Sequence, residues 1–214
     1  GARGHVRVYK NINGTWTQIG LDIDGEALSD YSGDAISLSD NGNIVAIGAY
    51  RNDGNGDNAG HVRVYKNISN SWTQIGSDID GESAGDYFGY SVSLSDDGEV
   101  LAVGGIYNAG GGGVNNKKGH VRVYENINNT WTQIGSDIDG ESTRDYFGYS
   151  VSLSSNGKIL AAGAIYDDGA ATDAGHVRVY ENINGSWTQL GADIDGKNTD
   201  DRSGYSVSLS NNGK

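Results

Sequence analysis

Short segments in which polar and apolar residues alternate are followed along the chain by segments that are apolar throughout. Ser91 to Ser95 alternates, which predicts a strand with one buried face. Residues 100–103 are continuously apolar, which is typical of a strand covered on both faces. His120 to Tyr124 alternates again, with valines on one face and His, Arg and Tyr on the other. No segment shows a helical period, so the pattern predicts an all-β protein.

This pattern recurs about four times. The motif Gly-His-Val-Arg-Val-Tyr occurs at spacings of 56, 59 and 56 residues, beginning at Gly4, Gly60, Gly119 and Gly175. A Trp-Thr-Gln motif follows in every copy, at Trp16, Trp72, Trp131 and Trp187. Four short antiparallel strands in a repeated unit of this length are the signature of β-propeller blades. A lone blade cannot cover both of its faces, so stacking of the units is expected.

The repeat boundaries predict one propeller region over residues 1–214. Its units are a partial one at 1–33, complete ones at 34–89, 90–148 and 149–204, and a partial one at 205–214. We therefore expect three complete four-stranded blades and terminal pieces, with a last inner strand at Ser206 to Ser210. The chain is interpreted as a segment of a longer array, as a compact ring whose ends meet, or as part of a ring completed by a second chain.

Composition narrows the classes of partner. The net charge is −13, from 28 acidic and 15 basic residues, which disfavours binding to nucleic acid and to anionic membrane surfaces. No apolar run approaches the length of a membrane span, so membrane insertion is not expected. The absence of Cys excludes disulfides and thiolate metal sites. The absence of Met indicates a processed or excised piece.

The order of short motifs resembles the FG-GAP repeat. Tyr87 to Ser95, with Phe88-Gly89 inside it, is followed by Asp97-Gly98, Leu101 to Gly105 and then Gly119 to Tyr124. The third copy keeps the signature as Phe147-Gly148 and Gly163-Ala164, whereas the first and fourth copies carry Ser32-Gly33 and Ser203-Gly204. The resemblance implies a propeller like that of integrin α-subunits and of bacterial and algal surface proteins, although the family's Pro is missing.

One departure concerns calcium. The family often carries a calcium loop between the first two strands, but here that place holds bare hairpin turns: Asp40-Asn41-Gly42, Asp96-Asp97-Gly98, Ser155-Asn156-Gly157 and Asn211-Asn212-Gly213. The calcium site of the family is therefore not carried over. The chain resembles the calcium-free type found in bacterial secreted proteins.

Two repeated side chains are candidates for a role at the blade interfaces. The histidines could form a ring of metal ligands around a central channel, but a structural hydrogen bond at the start of a strand is favoured: His5, His61, His120 and His176. The arginines two residues later are expected to form ion pairs between blades, with partners such as Asp86 or Asp145, or to stack on aromatic rings: Arg7, Arg63, Arg122 and Arg178.

The Asp-Ile-Asp-Gly-Glu stretch is a weak calcium candidate. Asp78, Asp80, Glu82 and Asp86 offer oxygen ligands in a loop that contains Gly, but their spacing is not that of an EF-hand. Solvated acidic loops explain the same residues. No cofactor is therefore predicted, with calcium as the alternative.

The sequence contains no nucleophile elbow, phosphate loop or His-Glu zinc motif. These observations predict a non-catalytic extracellular or cell-surface module that acts as a scaffold or in adhesion, and not an enzyme. A carbohydrate-binding propeller and a non-catalytic part of a secreted hydrolase are the alternatives. The expected partner is a protein or glycan at the cell surface, or another copy joined through the terminal blade edges.

Overall fold

The computed structural model describes residues 3–109 and 116–214, which consist of strands joined by turns and loops. No helix in these residues could cross a membrane. Seventeen strands occur in the described ranges: β1 His5–Ile12, β2 Thr15–Asp24, β3 Ala35–Leu38, β4 Ile44–Ala49, β5 His61–Ile68, β6 Ser71–Gln74, β7 Ile79–Asp80, β8 Phe88–Leu94, β9 Val100–Gly105, β10 His120–Ile127, β11 Thr130–Gln133, β12 Ile138–Asp139, β13 Phe147–Leu153, β14 Ile159–Ala164, β15 His176–Ile183, β16 Ser186–Gln189 and β17 Ile194–Asp195.

The strands form three complete blades and one hairpin. The blades have the orders β3-β4-β5-β6, β8-β9-β10-β11 and β13-β14-β15-β16, and all pairs are antiparallel. The outer strand of each blade is broken, because β7, β12 and β17 also pair with the third strand of their blades. The prediction of an all-β propeller with three complete four-stranded blades and partial ends is thus confirmed.

The ends of the chain differ from a complete blade. The first piece is the two-stranded hairpin of β1 and β2. The prediction of a strand at residues 206–210 is wrong, because these residues are not part of any strand. The inner strand of a complete blade pairs with the second strand of the same blade. In the described residues, no such second strand lies beside residues 206–210. They still lie along the preceding blade, since Leu209 N donates a hydrogen bond to Ser152 Oγ.

Neighbouring blades meet through their inner strands, and the alternating Ser-Leu-Ser motif accounts for the contact. Ser37 Oγ accepts a hydrogen bond from the backbone of Leu94, and Ser93 Oγ accepts one from Leu153. The second strands lie in the core, and every residue of β4 is buried. This arrangement explains why β4 is apolar throughout. In β3, Ser37 faces the next blade, whereas Ile36 and Leu38 are exposed.

The Phe-Gly motif sits at the closest approach of two blades. Phe88 and Phe147 are both fully buried. Gly148 has φ of 85°, and a Cβ atom on it would lie 2.5 Å from the carbonyl oxygen of His120. Only Gly fits this conformation and this distance, so the motif is explained by packing.

The tryptophans link the outer parts of successive blades. Trp131 Nε1 donates to the carbonyl oxygen of Ile75 in the preceding blade at 3.0 Å. Trp72 and Trp187 make the same contact to the preceding units. Trp16, in the first hairpin, is instead 69% exposed.

Candidate functional site

The repeated histidines lie at one end of the blades, where the second strand ends and the third begins. His61, His120 and His176 are the first residues of β5, β10 and β15 and are almost completely buried, whereas His5 is exposed. Nδ1 of His61 lies 3.5 Å from an oxygen of Asp78, and Nδ1 of His120 lies 3.4 Å from Asp137. Burial lowers the pKa of His61. The three buried imidazoles belong to different blade interfaces.

The repeated arginines join blades through glutamates. Arg122 pairs with Glu82 of the preceding blade and with Asp137 of its own, the latter at 3.2 Å. Arg178 makes the equivalent contacts, to Glu141 at 2.6 Å and Asp193 at 2.9 Å. Arg63 Nη1 lies 3.4 Å from Glu26 Oε1, and Arg7 pairs at the surface with Asp22. Each of the three buried guanidinium groups therefore has a carboxylate partner from the preceding unit.

Asp86 and Asp145, suggested from the sequence as partners of these arginines, instead organise the loop before the inner strand. Their Oδ2 atoms accept hydrogen bonds from the backbone of Ser83 and Ser142. Burial raises the pKa of both carboxyls, that of Asp145 to about 6.

The weak calcium candidates do not come together as one ligand set. Asp78 groups with Glu26 and His61, whereas Glu82 groups with His120 at the next blade interface. Asp86 is turned to its own loop. The structure therefore divides these oxygens between interfaces.

A groove lined by tyrosines lies at the same end of the blades as the histidines. Its volume is about 370 Å³. The lining contains eight tyrosines, two isoleucines and two arginines, and no carboxylate or imidazole: Tyr50, Tyr87, Tyr90, Tyr107, Tyr146, Tyr149, Tyr166, Tyr205, Ile106, Ile165, Arg51 and Arg202. We call this the tyrosine groove.

The rings of the tyrosine groove support one another. Tyr87 and Tyr107 stack with centroids 4.6 Å apart, and Tyr146 lies 5.0 Å from Tyr107 and from Tyr166. Burial raises the pKa of Tyr107 to about 12 and also raises that of Tyr149. These two phenols therefore stay neutral at pH 7 and can donate hydrogen bonds to a bound molecule.

Arg51 is the cation that distinguishes the first complete blade. Its guanidinium lies 4.8 Å from the ring centroid of Tyr31, and its Nε is buried without a hydrogen bond. It forms no ion pair with a carboxylate in the described part of the chain. The pairing of the second and third strands places Arg51 at the repeat position that Tyr107 and Tyr166 occupy in the other blades.

Two further cations contact the same rings. Lys117 Nζ lies 4.0 Å from the centroid of Tyr107, and the Arg202 guanidinium lies 5.1 Å from that of Tyr166. The net charge of the chain is −13, so this cluster of cations on tyrosine rings carries the opposite charge to the protein as a whole. The groove can therefore attract an anion that also offers a face for aromatic stacking.

Sequence reasoning missed the tyrosine groove because it concentrated on features shared by all blades. The signal that could have revealed the groove was a residue that differs between the copies of the repeat. Aligned on the second strand, Arg51 replaces a tyrosine, which a position-by-position comparison of the copies would show.

Comparison with known families identifies the type of repeat. Residues 137–180 match the model of the FG-GAP repeat. The chain contains an FG-GAP repeat. The matched FG-GAP unit runs from the outer part of the second complete blade to the third strand of the next, and its Gly-His-Val-Arg-Val-Tyr motif recurs in the other units. No curated protein matches the chain in sequence.

Solved propellers share the fold of this chain at low identity. A proposed 6-phosphogluconolactonase from Bacteroides uniformis is 16% identical, with a TM-score of 0.58 over 91% of this chain and 50% of its own. One from Bacteroides fragilis is 17% identical, with a TM-score of 0.53 over 81% and 41%. A protein from Lactobacillus plantarum is 14% identical, with a TM-score of 0.55 over 90% and 50%. The chain thus spans half or less of the length of these structures.

These neighbours correct the functional prediction. A non-catalytic scaffold or adhesion module was expected, together with the absence of enzymatic activity, and both predictions are contradicted by structures of this fold that are described as lactonases. The carbohydrate-binding and non-catalytic hydrolase alternatives shared the same assumption and fall with it. The error arose because features repeated in every blade were taken to represent the whole chain.

Proposed function

We propose that the chain belongs to a propeller enzyme that hydrolyses an anionic sugar lactone bound in the tyrosine groove. The observation that carries the proposal is Arg51, a cation among tyrosine rings without a carboxylate partner in the described residues. The description of two fold neighbours as 6-phosphogluconolactonases supports a phosphorylated sugar lactone as the substrate.

The groove offers what such a substrate needs for binding. Tyrosine rings stack on the apolar faces of sugar rings, and neutral phenols donate hydrogen bonds to hydroxyl groups. Arg51, Lys117 and Arg202 can neutralise a phosphate or carboxylate, and arginine binds such groups in a bidentate manner. The volume of about 370 Å³ is sufficient for one small molecule.

The proposed catalysis is electrostatic. Attack of water on the lactone carbonyl, with loss of its proton to a solvent water, forms a tetrahedral oxyanion, which an arginine and phenol groups can stabilise by hydrogen bonds. Collapse of the oxyanion breaks the bond from the carbonyl carbon to the ring oxygen, which takes a proton from solvent and leaves as a hydroxyl group. The lining supplies no carboxylate or imidazole as a general base. The proposal therefore assigns the rate enhancement to stabilisation of the oxyanion, with water as the nucleophile and the ring oxygen as the leaving group.

The test is hydrolysis of 6-phosphogluconolactone, followed by the formation of 6-phosphogluconate with a coupling dehydrogenase. The chain should exceed the spontaneous rate, and Arg51→Tyr should lower kcat/KM by at least about ten-fold, since one charged donor to an oxyanion is worth that much or more. Arg51→Tyr introduces the residue of the other blades, so folding should be retained. Glucono-1,5-lactone, which lacks the phosphate, should be affected less.

Arg7→Tyr is the matched control. It removes the same charge by the same substitution at an arginine whose side chain is 46% exposed and lies outside the groove. A rate equal to the spontaneous one, or equal losses for Arg51→Tyr and Arg7→Tyr, would overturn the proposal.

We also propose that the protein acts outside the cytoplasm, at the cell surface or in secreted form. The FG-GAP repeat supports this location, because the resemblance implies surface and secreted proteins. Fractionation of cells that produce the full protein tests it, and recovery in the cytoplasmic fraction alone would contradict it. The prediction of a protein or glycan partner, or of assembly through blade edges, stays a prediction.

A further inference from the structure

A second feature breaks the repeat, in the third complete blade. Asp167 follows β14, His176 begins β15, and Asp195 pairs with His176 from β17. Each offers one ligand atom, and these three atoms all lie within 4.8 Å of one another. Three segments of one blade therefore bring two carboxylates to one imidazole.

His176 gives independent evidence that this place is built for a ligand. The residue is 1% exposed, and among the described residues neither ring nitrogen makes a well-directed hydrogen bond, which is also true of His120. Nδ1 lies 3.1 Å from Asp167 Oδ1. A buried imidazole without hydrogen bonds is costly, because the desolvation of its nitrogens is not compensated.

Asp167 replaces an amide that stabilises another blade. At the same position Asn52 donates a hydrogen bond from Nδ2 to Asp30 at 2.9 Å. A carboxylate cannot donate this bond, and the position of Asp30 is again held by a carboxyl in the third blade, Asp145. The third blade thus loses a donor and gains a negative charge, which a bound cation would offset.

In every complete blade an arginine pairs with a carboxylate beside the histidine, and the third blade differs in carrying a further carboxylate, Asp167. Arg122 pairs with both Glu82 and Asp137 around His120. Arg63 lies 3.4 Å from Glu26 beside His61. In the third blade Arg178 pairs with Glu141 and Asp193, and no ion pair joins an arginine to Asp167 or Asp195 in the described residues.

We propose that Asp167, His176 and Asp195 bind one divalent transition metal ion, with zinc as the probe. Imidazole and carboxylate are suitable ligands for zinc, and three protein ligands leave the fourth position of a tetrahedral site to water. Bonds of about 2.1 Å place tetrahedral ligand atoms about 3.4 Å apart, so the widest pair would close by at most about 1.4 Å. Asp195 is exposed and gives the ion a path from solvent.

Calorimetric titration with zinc chloride, after treatment with EDTA and dialysis, tests the proposal. The chain should bind one ion, and Asp167→Asn and Asp195→Asn should each weaken binding by at least about ten-fold. Asp167→Asn restores the amide of the other blades, so without metal its melting temperature should not fall below that of the wild type. Zinc should raise the melting temperature of the wild type and leave that of Asp167→Asn unchanged.

Asp80→Asn is the matched control, because Asp80 pairs with His61 as Asp195 does with His176. It should bind zinc like the wild type, and the imidazole nitrogen resonances that respond to zinc should be those lost in His176→Gln. The proposal is overturned by the absence of saturable binding, by wild-type affinity in Asp167→Asn, or by an equal loss in Asp80→Asn. The lactone assay in EDTA separates this site from the tyrosine groove.

Discussion

The tryptophans allow the contribution of a blade interface to be measured with an internal reference. Trp131 and Trp16 occupy the same repeat position, in β11 and β2. Trp131 packs against the core between two blades and donates to Ile75, whereas Trp16 is 69% exposed. Replacing each by Ala therefore removes the same side chain from two environments.

The expected loss for Trp131→Ala is about 2.5–3.5 kcal/mol in the free energy of unfolding. Truncation of a fully buried Trp costs about 3–5 kcal/mol. Trp131 is half-buried, so about half of this applies, and the lost hydrogen bond contributes about 1 kcal/mol. Trp16→Ala should stay within about 0.5 kcal/mol, as for most surface substitutions.

Urea denaturation followed by far-ultraviolet circular dichroism measures both variants. The comparison requires that the free energy of unfolding fall with urea concentration at the same slope in both variants. If the blades of the repeat array unfolded separately, this slope would change. Equal losses for Trp131→Ala and Trp16→Ala would refute the reasoning, since the stabilisation would then come from the tryptophan itself and not from the neighbouring blade.

Two further perturbations follow from the core and from the interface charges. Phe88→Ala should cost about 3–5 kcal/mol in urea denaturation, because the ring is fully buried; Ser32→Ala, at the same repeat position, should cost under about 1 kcal/mol, and a similar loss in both would contradict the assignment. The His120 side chain, with hydrogen bonding from Gln133 and the charge of Arg122, lowers the pKa of Asp137. The ionised carboxylate therefore stabilises the fold at neutral pH, and this contribution is lost as the pH falls below about 4, where the unfolded chain takes up the proton. The difference in stability between wild type and Asp137→Asn should shrink on acidification, and a difference independent of pH would contradict this.

Local patterns were sufficient for the blades. The continuous apolar run of β9 predicts a fully covered strand, and the structure has one, whereas the alternation in β8 does not give one buried and one exposed face, because Tyr90 to Ser93 are all partly buried. The strand predicted at residues 206–210 failed because a strand also needs a neighbour with which to pair, and no pattern within those residues reveals whether one is present.

The candidate sites were much less predictable. Arg122 was expected to pair between blades, but its partners, Glu82 and Asp137, depend on how two blades stack. The tyrosine groove collects residues from all three complete blades, and their sequence separations carry no local signal. Arg51 and Asp167 could have been noticed as departures from the repeat, but their significance needed the surrounding contacts.

By itself, the sequence determined that this is a repeated all-β chain, which unit repeats and where each blade has its strands, because hydrophobic period and turn chemistry act over a few residues. Only the tertiary structure decided which identical residues are buried. Trp131 and Trp16 share a motif. Trp131 lies between blades because it contacts a residue 56 positions away in the chain, whereas Trp16 is exposed to solvent. The same stacking brings Arg51 to a group of tyrosines, whereas the pairing of strands within one blade brings His176 close to two carboxylates.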